Sequence, residues 1–147
     1  MELPASLLMD TSYIIALENR GDEHHAAARR LERQCIERRV ELVLHWGIVL
    51  EVLDGFARFS RRDKGLRLAE RFKAQDYGVY ELTQTLGNEA LEWYSNRPDK
   101  EWGLTDCVSF VLMSQLGISE ALTADRHFVQ AGFRALLLEE SEDDKGV

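Results

Sequence analysis

Four acidic side chains stand out by their positions. Asp10 ends the short apolar run Leu7-Leu8-Met9, and Asp125 follows a run that closes at Thr123. Asp106 opens a mostly apolar segment, and Glu51 lies inside another. Carboxylates gathered in a partly buried place repel one another and persist as anions only beside a compensating cation. Oxygen-only ligands favour Mg2+ or Mn2+ over zinc. Such ions activate water and neutralise charge growing on a phosphodiester, with two ions about 3.5–4 Å apart as a common arrangement. The sequence leaves one ion or two open. Each acid also has a structural role available. Asp10 and Asp125 suit turns or helix N-caps, Asp106 suits the first turn of a helix, and Glu51 can pair with Arg58 or reach solvent.

For these acids to meet, the chain must bring several element ends to one edge. Leu7 to Met9 and Glu41 to Leu44 read as short buried strands. Val79 to Leu82, Ala121 to Thr123 and Ala135 to Leu138 are three more, each separated from the last by a helical segment. That alternation predicts an α/β three-layer α/β/α sandwich with a mainly parallel sheet. In such sheets ligands bind at the carboxyl ends of the strands, where Asp10 and Asp125 fall. Glu23 to Glu37 reads as a helix with one buried stripe through Ala27, Leu31 and Ile36. Trp46 to Phe59 carries apolar residues around most of its circumference, with Glu51, Asp54 and Arg58 on one narrow polar stripe, so it is expected to be mostly buried. Thr105 to Leu116 is also mostly apolar, with Asp106 and Ser109 on one face. The expected organisation is one domain over residues 1–138 and a frayed acidic tail over 139–147.

Composition bounds the rest. A chain of 147 residues with 45% hydrophobic content supports one core. Cys35 and Cys107 have no zinc or disulfide pattern around them. The N-terminus Met1-Glu2-Leu3-Pro4 lacks a basic leader, and no apolar run is long enough to span a bilayer, so a cytoplasmic protein without membrane contact is expected. A net charge of −8 argues against nucleic-acid binding by bulk electrostatics. Yet 13 of the 18 Lys and Arg residues lie between Arg20 and Lys73, against 9 Asp and Glu. That basic excess suits either a solvated helical face or a substrate-guiding surface.

Four stretches in order carry a resemblance: MDTSYIIAL with Asp10, Thr11 and Ser12; IVLEVL with Glu51; LTDCVSFVLM with Thr105, Asp106 and Ser109; and ALTADRHFVQAGF with Asp125. Over nearly its whole length the chain resembles the PIN domain family, particularly toxins of the VapC type. The resemblance implies a Mg2+- or Mn2+-dependent endoribonuclease whose metal is held by Asp10, Glu51, Asp106 and Asp125. Thr11, Ser12 and Thr105 would be hydroxyl neighbours of that metal, and Ser109 a supporting residue. It further implies an RNA substrate, a cognate antitoxin protein and a homodimer. One departure is visible: many members carry Ser or Thr where the Glu-bearing helix starts, and this chain has His45-Trp46-Gly47. His45 reads as a strand-end histidine, His24 and His25 as solvated, and His127 as a residue of the site's rim. A haloacid-dehalogenase-type phosphatase also starts with a strand and an Asp, but it needs an acid two residues later, where Ser12 stands. A housekeeping RNA-processing nuclease and an inactive PIN-like binding module remain as alternatives.

Overall fold

The computed structural model describes residues 2–74 and 76–145. Five parallel strands form one sheet: β1 (Ser6–Met9), β2 (Glu41–His45), β3 (Gly78–Tyr80), β4 (Glu120–Leu122) and β5 (Arg134–Ala135), in the order β3-β2-β1-β4-β5. Strands β1 and β2 are completely or largely shielded at Leu7, Leu8, Val43 and Leu44, as expected of strands covered by helices on both faces. The chain runs outward from β1 through β2 to β3, then returns to build β4 and β5 on the other side of β1. The connection therefore reverses direction between β1 and β4, and their carboxyl ends frame a switch-point crevice. The ladder continues past β1, where Asp10 N–H donates to the Leu122 carbonyl at 3.0 Å.

Eight α-helices accompany the sheet: α1 (Thr11–Glu18), α2 (His25–Glu37), α3 (Trp46–Gly55), α4 (Arg62–Lys73), α5 (Gln84–Asn96), α6 (Leu104–Leu116), α7 (Arg126–Gln130) and α8 (Leu136–Lys145). Helix α6 is the most deeply set, buried from Cys107 through Met113. Its Phe110 is the hub of an aromatic cluster, with ring centroids 5.2 Å from Trp102, 5.0 Å from Phe128 and 5.7 Å from Trp93. These contacts lock α6 against α5 and α7, and so fix the two helices whose N-terminal ends carry Asp106 and Asp125. Among the described residues, no helix is long and apolar enough to cross a membrane.

Four expectations need correction. The Ala135–Leu138 run is not a strand: pairing stops after Ala135, and Leu136 and Leu137 turn into α8 while remaining fully buried. The acidic segment from residue 139 is not a frayed tail as far as Lys145. It continues α8, and its first residues dock on α2 through Glu140 to Arg30 at 3.5 Å and Ser141 to His24 at 2.8 Å; residues 146–147 lie outside the described residues. Finally, α3 ends at Gly55, before Arg58, and is only half buried. Ile48, Val49 and Val52 face the core, whereas Trp46 and Leu50 are about half exposed. His24 and His25 also differ from the solvated reading, since His25 Nδ1 lies 2.7 Å from the Ala16 carbonyl and ties α2 to α1.

Candidate metal centre

The crevice between β1 and β4 collects the acids that the strands carry to it. Asp10 leaves β1 in extended conformation and is 6% exposed. Its Oδ2 accepts hydrogen bonds from Thr123 Oγ1 at 2.8 Å and from Ser12 Oγ at 3.3 Å. Both hydroxyls are themselves fixed by the loop after β4, accepting from Asp125 N at 3.0 Å and Ala124 N at 3.0 Å respectively. Two strand ends are thereby stitched together through one carboxylate. Burial pushes the Asp10 carboxyl up to about 7; the Thr123 bond opposes this, and the nearby Asp106 and Asp125 charges add to it.

Asp106 occupies the first turn of α6, where its Oδ2 accepts from Gly103 N at 3.3 Å. Glycine has no side chain to complete a reciprocal capping box, so this is one half of that motif. Burial also raises the Asp106 carboxyl, with a hydrogen bond from His127 opposing and the Asp125 charge reinforcing the shift. Asp125 caps α7, its Oδ1 accepting from His127 N at 2.9 Å. The structural roles open to Asp106 and Asp125 are thus real, and they coexist with convergence on one place. Coulombic coupling of Asp10 to both Asp106 and Asp125 places the three acids in one electrostatic unit.

Glu51 stands apart. It is exposed on α3, and among the described residues no hydrogen bond or ion pair joins it to the other acids. Two residues join the cluster without having been read as central to it. Thr123 is the donor that holds Asp10, detectable in sequence only as a polar residue ending an apolar strand. His127 places Nδ1 3.1 Å from Asp106 Oδ2 and 3.4 Å from Asp125 Oδ1. One ligand atom each from Asp106, Asp125 and His127 lie within 4.8 Å of one another, a grouping that fits a divalent cation. Among the hydroxyl neighbours, Ser12 is part of the site. Thr11 Oγ1 is buried with no hydrogen-bond partner. Ser109 is buried, and its hydroxyl is engaged by His45 Nε2 at 2.9 Å and the Thr105 carbonyl at 3.3 Å. A cavity of about 840 Å3 lies between β3, α3 and α4 and is lined by none of the four acids.

The departure at the start of α3 has a physical account. His45 is fully buried and acts as the N-cap, Nδ1 accepting from Gly47 N at 3.0 Å. Nδ1 must therefore be unprotonated, leaving Nε2 to donate to Ser109 Oγ. Burial lowers this imidazole to about 4. The cap also dictates Gly47, since a Cβ there would come within 2.8 Å of the ring. His45 thus does the work a Ser or Thr cap does, and adds a bond to α6, the helix of Asp106. His45→Ala is expected to lower stability by about 2–4 kcal/mol, combining a lost cap, a Ser109 hydroxyl oxygen left without its donor and a cavity. His45→Ser, which restores a cap, should lose less. Denaturant unfolding of the two variants checks this, and equal losses would remove the capping account.

Comparison with known proteins adds to this geometry. A family model described as PIN domain matches residues 7–134, a span containing all four acids and His127. Two proteins named 23S rRNA-specific endonuclease VapC20, from Mycobacterium tuberculosis strains CDC 1551 / Oshkosh and ATCC 25618 / H37Rv, are each 30% identical over 131 residues. The match covers 86% of this chain and 95% of each relative. The crystal structure of Mycobacterium tuberculosis VapC20, described as a sarcin-ricin loop cleaving toxin, has a TM-score of 0.78 at 26% identity, covering 86% of this chain and 95% of that one.

Proposed function

The chain belongs to the PIN domain family, and from that premise we propose that it is a metal-dependent endoribonuclease, the toxin of a toxin–antitoxin pair. The observation that carries the reading is the gathering of Asp10, Asp106 and Asp125 at the β1/β4 switch point, where burial and mutual repulsion make simultaneous ionisation costly. A divalent cation, Mg2+ or Mn2+, would offset that repulsion and supply Lewis-acid activation for hydrolysis of a phosphodiester. The chain's own contribution is placement. Thr123 and Ser12 hold the inner carboxylate of Asp10, while Asp106 and Asp125, at helix N-terminal ends on the rim, complete the anionic wall that faces solvent. An inactive scaffold would gain nothing from keeping three mutually repelling acids in one crevice.

Glu51 is assigned to the same centre through its motif, as a fourth acid that would help hold the metal. Because it is exposed, Glu51→Gln should change the metal-free melting free energy by no more than about 0.5 kcal/mol. It should nonetheless cut RNA cleavage tenfold or more and weaken metal binding. Unaltered cleavage by this variant would restrict the metal set to the three crevice acids and their neighbours.

The relative's substrate, 23S rRNA with the sarcin-ricin loop as its target, makes a structured RNA loop the first substrate to test. Proteins that cut such loops read shape and unstacked bases more than duplex sequence. An antitoxin that inserts Arg or Lys among the carboxylates would inhibit by competing with metal and covering the substrate path. A homodimer and a cytoplasmic setting belong to the same proposal. Mapping of new RNA 5′ ends after brief induction, with Asp10→Asn as control, tests the reading: discrete cuts in ribosomal or transfer RNA from the parent alone support it. Identical RNA patterns from both proteins would overturn it.

A further inference from the structure

The acids are not alone in the crevice. His127 Nδ1 lies 3.1 Å from Asp106 Oδ2 and 3.4 Å from Asp125 Oδ1. Metal–oxygen bonds of about 2.0–2.1 Å in an octahedral site separate neighbouring donors by about 3 Å. The imidazole nitrogen therefore stands from both carboxylates at close to the spacing that adjacent ligands of one ion require. Its placement is built into the fold. The backbone N–H of His127 is tied to Asp125 Oδ1, and the next residue, Phe128, is fully buried edge-on against Phe110 at 5.0 Å. Phe128 anchors α7 to α6, so the ring is held over the carboxylate of Asp106 by packing as well as by its own bond.

We propose that His127 is a metal ligand beside the carboxylates, making this a mixed nitrogen–oxygen centre that takes Mn2+ in preference to Mg2+. The inference rests on the metal-centre reading given above and specifies its ligand set. Mg2+ is a hard ion that gains little from exchanging an oxygen ligand for imidazole, whereas a first-row transition ion gains from it. The carboxylates keep the site suitable for Mn2+, to which oxygen ligands are also well matched.

The test uses the full chain, stripped with chelator and titrated with Mn2+ while free Mn2+ is followed by electron paramagnetic resonance, with Mg2+ followed by calorimetry. Pulsed resonance on the Mn2+-loaded protein reads nitrogen coupling directly. The wild type should show 14N modulation, and His127→Ala should lack it and bind Mn2+ at least about tenfold more weakly. Mg2+ affinity should change much less. His127→Asn, which puts an oxygen near the place of Nδ1, should recover Mn2+ binding without the nitrogen signal. Tight Mn2+ binding without 14N coupling in the wild type would overturn the inference. So would equal or tighter binding by His127→Ala, because the imidazole would then merely fill the cation's place between the carboxylates. Asp106→Asn separates the two levels. If it loses Mn2+ while His127→Ala does not, only the His127 assignment fails. If neither variant changes binding, or the wild type binds no Mn2+, the metal centre itself fails.

Discussion

Asp10→Asn is expected to melt above the parent protein in chelator at pH 8, and to lose RNA cleavage by a thousandfold or more. Both effects come from one buried carboxylate. Asp10 is 6% exposed, and its carboxyl is pushed up from 3.8 to about 7. At pH 8 it is ionised in the folded and unfolded chain alike, and the folded state bears the difference, roughly 4 kcal/mol at 1.36 kcal/mol per pKa unit. Asparagine removes the charge and keeps an oxygen to accept from Thr123 and Ser12. Its NH2 group needs an acceptor in the same space, so the net gain is expected to be about 1–3 kcal/mol. Activity moves the other way, because the lost anion is the innermost proposed ligand, and a thousandfold loss corresponds to about 4 kcal/mol of barrier. Thermal melts in chelator and cleavage assays with excess Mn2+ read the two effects separately. A variant that melts lower in chelator would show that the Asp10 charge is satisfied without metal, and a variant that still cuts RNA would remove Asp10 from the reaction.

The parts of this site that were legible in sequence are those set by local rules. An acid just after a buried strand is delivered to the carboxyl edge of a parallel sheet, so the place of Asp10 and Asp125 at that edge follows from their neighbours, while their proposed role came only with the family resemblance. The place of Asp106 in the first turn of α6 followed from its position at the start of an apolar helical run. His127 was readable only as a rim residue, since its relation to Asp106 depends on how α7 packs against α6 across 21 residues of chain. Helix α3 was misjudged for a similar reason. Counting apolar residues around its circumference cannot tell a face that docks on the sheet from one that carries Trp46 and Leu50 into solvent. The run Ala135 to Leu138 suits a buried strand or a buried helix equally by pattern. In the structure, pairing with β4 stops at Ala135 and the chain turns into α8 from Leu136. His45 reads as a strand-end residue and is one, yet its capping role needs the glycine two residues on, a pairing visible only once the ring is placed.

Asp10 and His45 should give the metal-free protein opposing pH dependences over nearly the same range, and the difference between variants exposes each. Below about pH 4 Asp10 is protonated in both states. Between about pH 4 and 7 the unfolded chain has released that proton while the folded chain still holds it, so stability falls as pH rises, and above 7 the loss is complete. For His45, lowered from 6.5 to about 4, the unfolded chain gains a proton that the folded chain refuses as pH drops through this interval. Its contribution is present above about 6.5 and is lost towards 4. At 1.36 kcal/mol per pKa unit the two are worth roughly 4 and roughly 3 kcal/mol with opposite signs, so these two largely offset each other in the parent. Asp10→Asn removes one of them. Its stability in chelator should therefore decline by roughly 3 kcal/mol on acidification from pH 6.5 to 4, and its advantage over the parent should vanish across that window. Metal adds a further contrast, since excess Mn2+ at about 100 Kd contributes roughly 2.7 kcal/mol to a chain that binds it only when folded. That gain requires ionised carboxylates, so in the parent it should be full at pH 8 and fade as pH falls below about 7, while in Asp10→Asn it should be small throughout. Denaturant unfolding of both proteins from pH 4 to 8, with chelator and with Mn2+, measures all of these slopes. Parallel curves for parent and variant in chelator would mean that Asp10 titrates as an ordinary exposed carboxylate, and the buried-charge account of the site would have to be abandoned.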